Sequence, residues 1–448
     1  MDPATLIEQA NAAQSSIVAL GLDDRLDRVA ASANRLRERG DLIVEEAIRE
    51  CGQPRRFAER ELTSALLFLD ALPTLAEAIR PMPVPSRQGT TTLEWRAYGV
   101  LLGWHAANSP IWVPTLVIAS AFVAGNAVIS RPSRRAHATT ELVIAALTDG
   151  WPVGAVGVLD ADLAPKDAEA LIAHPDVHVV VAHASSATCK RHLARLGAAY
   201  GDGVALRPYI PEASGNDALI VLDGANLDAA AHAIALGGFA NQGQLCMAAK
   251  RIIIEASVWL ELRPLIEREI GALVLGDPAH ENTDIAPLPD GPARRQARAM
   301  LAEAQALGGQ IVCGRGEEGP FMTPTIVELP KSALEAELWT EECFAPLRGL
   351  MVAEDAEHAA SLAADTRFGL GVAIFGPPDV VGGIGEGLRV GRVIVNADPL
   401  YQDPYLVVGG VGDSGMFGAR PKLEQFVYAC RVHDAGGAMQ AREGAATR

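Results

Sequence analysis

Apolar residues recur every three or four positions over 26–39, 42–51 and 56–72. This spacing predicts amphipathic helices and makes the whole of 4–80 a helical segment. Pro81, Pro83 and Pro85 end it, because a proline ring fixes φ and removes a backbone donor. The period then changes. Thr90-Thr91-Thr92-Leu93-Glu94-Trp95-Arg96, within 88–100, alternates as a strand does. From 100 to 205, strand-like runs at Leu101, 127–129, 156–159 and 177–182 are interleaved with helical runs at 135–147 and 187–196. The alternation resumes at Ala218 and continues to about Gly391. Such alternation predicts an α/β fold with parallel sheets covered by helices on both faces. Open sheets of this kind bind ligands at the carboxyl ends of their strands.

Composition narrows the class. A chain of 448 residues has room for two or three domains and a large core. With 49% hydrophobic and 21% charged residues, it reads as a soluble globular enzyme. A net charge of −17 argues against nucleic acid or an anionic membrane as partner. Cys51, Cys189, Cys246, Cys313, Cys343 and Cys430 are scattered, with no CxxC pair and no paired-disulfide spacing. This pattern fits a reducing, cytoplasmic setting. The first residues, Met1-Asp2-Pro3-Ala4-Thr5, lack the basic start and apolar centre of a signal peptide. The apolar run 111–129 is interrupted by Pro114, Gly125 and Asn126. It reads as a buried helix and a strand, since a spanning helix needs about 20 apolar residues. No His, Cys and acid cluster has metal-ligand spacing, so no metal is expected.

The candidate chemistry centres on Asn241-Gln242-Gly243-Gln244-Leu245-Cys246-Met247-Ala248-Ala249-Lys250-Arg251. A helical stretch, 227–239, precedes it and a strand-like run, 252–254, follows it. Cys246 thus falls at a junction after a glycine, where a helix start would aim amides at the thiol and lower its pKa from about 8.5. A lone cysteine is otherwise most often a small buried hydrophobe. Upstream, Glu212-Ala213-Ser214-Gly215-Asn216 leads into the apolar run 217–222, and Asp223-Gly224-Ala225-Asn226 follows as a turn and helix start.

Together these segments resemble the aldehyde dehydrogenase superfamily. Glu212 and Cys246 are separated by 34 positions (246 − 212), the interval that family keeps between its general base and its nucleophile. Leu102-Gly103-Trp104-His105-Ala106-Ala107-Asn108-Ser109-Pro110 is similar to the family segment ending in Asn-Phe-Pro. Ala124-Gly125-Asn126 through Arg131-Pro132-Ser133 is similar to its Ala-Gly-Asn to Lys-Pro-Ser block. Gly276-Asp277-Pro278, Pro324-Thr325, Glu341-Glu342-Cys343-Phe344-Ala345-Pro346 and Ser414-Gly415 follow in family order. The resemblance covers roughly 20–430 and implies two Rossmann-like domains. These are a cofactor-binding domain at 1–216, with an oligomerisation hairpin at about 83–100, and a catalytic domain at 217–420. The remainder, 421–448, is expected to hold a C-terminal oligomerisation strand at 426–432 and a loose Gly/Ala-rich tail from 435. A homodimer, or a homotetramer, is the expected assembly.

The resemblance also implies roles. Cys246 is the nucleophile that adds to the aldehyde carbonyl and leaves a thioester. The side-chain amide of Asn108 and the backbone N–H of Cys246 are the oxyanion donors. Glu212 activates the water that hydrolyses the thioester. By residue type alone, the favoured readings are that Asn108 caps a helix starting at Pro110 and that Glu212 is a surface acid. The cofactor is a nicotinamide dinucleotide, with Arg131, Ser133 and Arg134 at the adenosine ribose, Ser185 at the pyrophosphate, and Glu342 and Phe344 at the nicotinamide ribose. Arg at both 131 and 134 favours NADP over NAD, because a guanidinium pairs with a 2′-phosphate. The substrate, a small-molecule aldehyde, is expected to meet Ser109, Trp112, Val113, Leu116, Leu245 and Met247, an apolar lining.

Three features depart from the family pattern. The phosphate-facing turn, His183-Ala184-Ser185-Ser186-Ala187-Thr188-Cys189, lacks both usual glycines, so side chains at Ala184 and Cys189 are expected to crowd the pyrophosphate. Val117 stands where a lysine is common. Ala345 replaces a glycine. Two alternatives stay open: an acylating or reductive enzyme that passes the thioester to coenzyme A or a carrier, and an inactive structural or binding member of the fold.

Overall fold

The computed structural model describes residues 2–288, 291–401 and 403–435. The tail expected from 435 lies, apart from Ala435, outside the described residues. The chain opens with helices α1 (Pro3–Ala19), α2 (Gly21–Glu38), α3 (Gly40–Cys51) and α4 (Arg55–Leu75). Their apolar stripes, including Ile17, Val29, Leu36, Ile43, Phe68 and Leu72, are buried in one core. The three-to-four periodicity of the sequence falls on α2, α3 and α4.

After the prolines come β1 (Met82–Val84) and β2 (Thr90–Ala97), an antiparallel pair. Strand and helix then alternate: β3 (Val100–Trp104), α5 (Trp112–Val123), β4 (Ala127–Arg131), α6 (His137–Thr148), β5 (Val156–Val158), α7 (Pro165–Ala170), β6 (Val179–His183), α8 (Ser186–Gly201) and β7 (Tyr209–Glu212). The strands form a five-stranded parallel sheet in the order β5-β4-β3-β6-β7. The order reverses between β3 and β6, which opens a crevice at the carboxyl ends of these strands.

A four-residue link, 213–216, leads into β8 (Asp217–Val221) and then α9 (Leu227–Phe239), β9 (Ala249–Glu255), α10 (Ala256–Gly271) and α11 (Pro292–Ala306). Next come β10 (Gln310–Cys313), the small hairpin β11 (Glu317–Glu318) and β12 (Phe321–Met322), β13 (Thr325–Glu328), α12 (Glu337–Thr340) and β14 (Leu347–Ala353). Then follow α13 (Ala356–Ala364), β15 (Gly371–Phe375), α14 (Pro378–Gly387) and β16 (Arg392–Val395). This second sheet runs β10-β13-β14-β9-β8-β15-β16, parallel except at the β10 edge. Its central strands β8 and β15 are buried along their whole length, as continuous apolar runs in a parallel sheet are. The chain returns through α15 (Lys422–Gln425) to β17 (Val427–Asp434), which pairs antiparallel with β2. Hairpin and C-terminal strand thus form one three-stranded sheet, β1-β2-β17.

Two helices are strongly apolar. Within 111–129, α5 is buried on almost every side, and β4 begins after the break at Gly125-Asn126. The run Arg55–Ile79, which the sequence pattern did not single out as a membrane candidate, is long and apolar enough to cross a bilayer by length and composition. Its Ala58, Ala65, Phe68, Leu69 and Leu72 are instead packed in the core.

Glu61, on α4, fixes the start of α5. Its Oε1 accepts hydrogen bonds from Ser109 Oγ (2.8 Å), Ile111 N (2.9 Å) and Trp112 N (2.7 Å), and Oε2 accepts from Gln53 Nε2 (3.2 Å). First-turn N–H groups have no partner within their own helix, and here a carboxylate from a neighbouring helix satisfies them. Asn108 therefore does not cap this helix, which begins at Trp112 rather than Pro110. Burial pushes the Glu61 carboxyl up to about 7, against the pull of its four donors. The folded state thus keeps a proton that the unfolded chain, with an ordinary carboxyl near 4.5, releases. The associated stability is full below about 4.5 and is lost as pH rises through 7, a loss of about 3 kcal/mol at most. Denaturant titrations between pH 4.5 and 8 are expected to show stability falling with pH, with a shallower fall in Glu61→Gln. Equal slopes in the two proteins would contradict this assignment.

Candidate active site

The crevice of the first sheet gathers residues from separate motifs. Trp104 ends β3, Arg131 ends β4, His183 ends β6 and Glu212 ends β7. The Arg131 guanidinium lies 4.3 Å above the Trp104 ring, and the edge of His192 packs against the same indole at 4.8 Å. Arg134 is occupied by carbonyls: Nε donates to Ala161 O (2.9 Å) and an Nη to Leu163 O (3.2 Å). Ser133 Oγ accepts from Arg135 N, capping a single helical turn. The two arginines are neighbours, and the Arg134 charge helps lower the Arg131 pKa after the larger effect of burial.

At the end of β6, Ser185 caps α8 by accepting from Thr188 N (3.3 Å). The N-terminus of this helix lies at the carboxyl end of the sheet; its Ser186 N–H donates to Ser214 Oγ (3.3 Å), and its positive dipole end suits an anion. The crowding expected from Cys189 does not occur. Cys189 sits one turn into α8, is buried, and turns its thiol toward the carbonyls of Ala182 and Ala184 on the sheet side. Ala184 is half-buried at the turn itself.

The cysteine loop is held in an unusual backbone. After α9, Asn241 (φ 52°), Gln242 (φ 55°) and Gly243 (φ 70°) are all left-handed. Two of them are not glycine, so the surroundings must enforce the conformation. Asn241 Nδ2 donates to Asn108 O (3.1 Å) and Gln242 Nε2 to Gly52 O (3.1 Å). Arg348, fully buried on β14, donates to the carbonyls of Gly238 (2.7 Å), Cys343 (3.2 Å), Ala345 (2.8 Å), Leu347 (2.7 Å) and Gly243 (3.1 Å). A Cβ on Gly243 would stand 2.2 Å from Arg348 Nη2, so only glycine fits there. Past the turn, Lys250 is buried and donates to Leu245 O (2.5 Å) and to Cys246 O.

Cys246 therefore lies in a turn between Leu245 and β9, and no helix begins there. The thiol is not lowered as the sequence suggested. Burial pushes it up to about 11. Lys250 opposes this, while Glu342, Asp217 and Glu212 add to it. Helix amides were the wrong source of stabilisation; the positive charge beside the sulfur belongs to Lys250.

The Glu212 and Cys246 motifs meet directly. Gly215 packs on the Cys246 carbonyl so closely that a Cβ there would lie 2.3 Å from the oxygen. Gly215 N donates to Glu342 Oε1 (2.9 Å), and the same oxygen is 3.7 Å from Lys250 Nζ. Phe344 is half-buried two residues on. Glu212 is not a surface acid. Its carboxylate is buried in an ion pair with Lys422, and burial raises its pKa while Lys422 opposes the rise. Asn108 is half-buried in the turn before α5, and its carbonyl also accepts from Gln53 Nε2 (3.0 Å).

Beside the loop, a cavity of about 70 Å³ is lined by Phe57, Ser109, Trp112, Leu245, Met247 and Leu400, among others. Trp112 is held there by an edge-to-face contact with Phe68 at 5.5 Å. Of the expected lining, Val113 and Leu116 do not reach this cavity. Val113 is buried, and Leu116, one turn further along α5, packs against the first core. Glu61, Lys250, Arg348 and Lys422 were not found by sequence reasoning. Each is a charged residue at a buried position, and the available signal was a charge within or beside an apolar run, as in Ala248-Ala249-Lys250-Arg251-Ile252.

The model of the aldehyde dehydrogenase family matches residues 2–430. Vanillin dehydrogenase of Pseudomonas fluorescens is 30% identical over 94% of this chain and 89% of its own length. The NADP(+) succinate-semialdehyde dehydrogenase of Deinococcus radiodurans is 30% identical over 92% of this chain and 85% of its own. Among solved structures, the NADP-dependent glyceraldehyde-3-phosphate dehydrogenase of Bacillus halodurans, complexed with NADP, superposes with a TM-score of 0.86 at 26% identity, covering 95% of this chain and 90% of that one. A thiol, a buried carboxylate and a strand-end crevice, joined over nearly the full length of such relatives, leave one conclusion: the chain belongs to the aldehyde dehydrogenase family.

Proposed function

We propose that the protein oxidises an aldehyde with an apolar, ring-sized body to its carboxylic acid, using NADP in preference to NAD. The observation that carries this reading is the packing of Gly215 on the Cys246 carbonyl, which brings the Glu212 segment and the thiol loop into one site. The Cys246 thiolate adds to the aldehyde carbon, forming a C–S bond and an oxyanion. Asn108 Nδ2 and the Cys246 N–H receive that oxyanion; each such donor is worth about 3–4 kcal/mol. When bound, the nicotinamide supplies the hydride acceptor that turns the adduct into a thioester. Glu212 takes a proton from water, the water oxygen bonds to the thioester carbon, and the C–S bond breaks to free the acid and the thiolate.

The crevice fits a dinucleotide at three points. The dipole end of α8 supports a pyrophosphate there, Arg131 stacked on Trp104 supports a 2′-phosphate while Arg134 beside it is held by the carbonyls of Ala161 and Leu163, and the charge of Glu342 near the thiol supports a role at the nicotinamide ribose. The aromatic and aliphatic cavity wall supports an apolar substrate, and the vanillin dehydrogenase relative points the same way. Arg60 and Arg392 also line the cavity, where Arg60 donates to Leu400 O (2.6 Å) and lies 3.9 Å from Asp398, and Arg392 donates to Pro399 O (2.6 Å). Retention of Glu212 favours hydrolysis over transfer to a carrier thiol. We further propose a cytoplasmic protein that forms a homodimer through the exposed β1-β2-β17 sheet, where Met82, Tyr428 and Val432 are exposed.

Reduced-nicotinamide absorbance, followed with benzaldehyde, vanillin and succinate semialdehyde and each coenzyme, checks this reading. Turnover without added thiol is expected, fastest with an aromatic aldehyde and NADP, and abolished in Cys246→Ala. Turnover only on adding coenzyme A would overturn the hydrolytic reading. Lys250 is expected to govern the thiol. Because an opposite charge shifts a neighbour by roughly one to three units, Lys250→Met should slow iodoacetamide alkylation of Cys246 at pH 8 about tenfold and move its alkaline rise to higher pH. An unchanged profile would remove Lys250 from this role.

A further inference from the structure

Glu212 ends β7 with its carboxylate against the ammonium of Lys422, which opens α15 just before the C-terminal strand. Both side chains are almost wholly enclosed, with 10% and 2% of their surface exposed. No cation reaches the carboxylate from α5, whose sequence carries no charged residue. His183, on β6, is the register partner of Glu212. His105 follows β3, beside Val117 of α5. Burial holds both imidazoles neutral, and the facing charges of Lys422 on His183 and of Arg131 on His105 act in the same direction. Cys189 from α8 and Cys246 from the loop feel the Glu212 charge. Lys422 is thus the one positive group that faces this carboxylate among the described residues.

We propose that Lys422 is the positioning residue of the water-activating carboxylate: it holds Glu212 ionised and fixed in place, so that hydrolysis of the Cys246 thioester depends on a lysine from the C-terminal segment. The proposal rests on the reading of Glu212 as general base. The proton taken from water goes to Glu212, and Lys422 exchanges none and touches no reacting atom. Its main influence therefore falls on the second half of the reaction, which uses Glu212 as base. An isolated buried carboxyl would bind a proton well above the ordinary range and lose its basicity at neutral pH. The lysine counters that burial, and breaking a buried pair by removing one partner is costly.

Stopped-flow records of reduced nicotinamide with benzaldehyde, over pH 5.5 to 9, separate the two halves. Lys422→Met is expected to keep a stoichiometric burst while its steady rate at pH 7 falls roughly tenfold or more. Its acid limb should move to higher pH by about one unit or more, because loss of an opposite charge raises a carboxyl pKa by that order. Lys422→Arg, which keeps the charge, should leave the limb near its wild-type place. A wild-type limb in Lys422→Met would overturn the proposal, as would loss of burst and turnover alike in both variants, which marks a purely structural role. Glu212→Gln is the separate control: a burst without turnover supports the base reading, whereas wild-type turnover would remove that reading and this inference with it.

Discussion

The site depends on a clamp of buried cations on backbone carbonyls. Arg348 spends its guanidinium on five carbonyls drawn from the end of α9, the left-handed turn and the strand start at 343–347. Lys250 does the same for the carbonyls of Leu245 and Cys246. Loop carbonyls buried without donors each cost on the order of 1–3 kcal/mol, and a guanidinium or ammonium supplies several donors at once. The clamp therefore keeps three consecutive residues left-handed and sets the thiol in a turn that neither helix nor strand would provide. It also explains why Gly243 carries no side chain and why Asn108 and the cysteine loop are tied through Asn241.

Burial gives the same site a second character. Glu61 and Asp217 are buried and Glu212 and Cys246 are half-buried, and desolvation is the leading cause of the upward shift at each. Chemistry needs two of these groups charged, the thiolate for attack and the carboxylate for hydrolysis. On the proposed mechanism one lysine opposes burial at each: Lys250 near Cys246 and Lys422 beside Glu212. The two lysines come from β9 and α15, so the two halves of the reaction are tuned from different parts of the chain.

Much of the frame was legible in the sequence. The three-to-four spacing of α2 to α4 and the alternation from β3 to β7 follow from hydrophobic periodicity, which burial enforces residue by residue. The resemblance singled out two segments that the fold brings together, and the Glu212 to Cys246 interval is set by one strand–helix unit, β8 with α9. What stayed hidden was long-range. Nothing local in Lys422 announces a partner 210 positions away, and Glu61 reads as one acid on a polar helical face until α5 is seen to begin against it. The misreading of the thiol had a similar origin. A glycine before a cysteine suggested a helix start, whereas the left-handed turn at 241–243 is imposed by Arg348 from another strand. Cys189 was taken for an obstruction because its orientation follows from the sheet beneath α8, which the local sequence does not encode.

The central claim is that the Cys246 sulfur carries the acyl group and Glu212 releases it. Peptide mass spectrometry of the Glu212→Gln protein, quenched in acid after mixing with vanillin and NADP, tests this most directly. A vanilloyl adduct is expected on the peptide containing Cys246, absent when the coenzyme is omitted and in the Cys246→Ala variant. An adduct on any other cysteine, or full turnover with none retained, would contradict it.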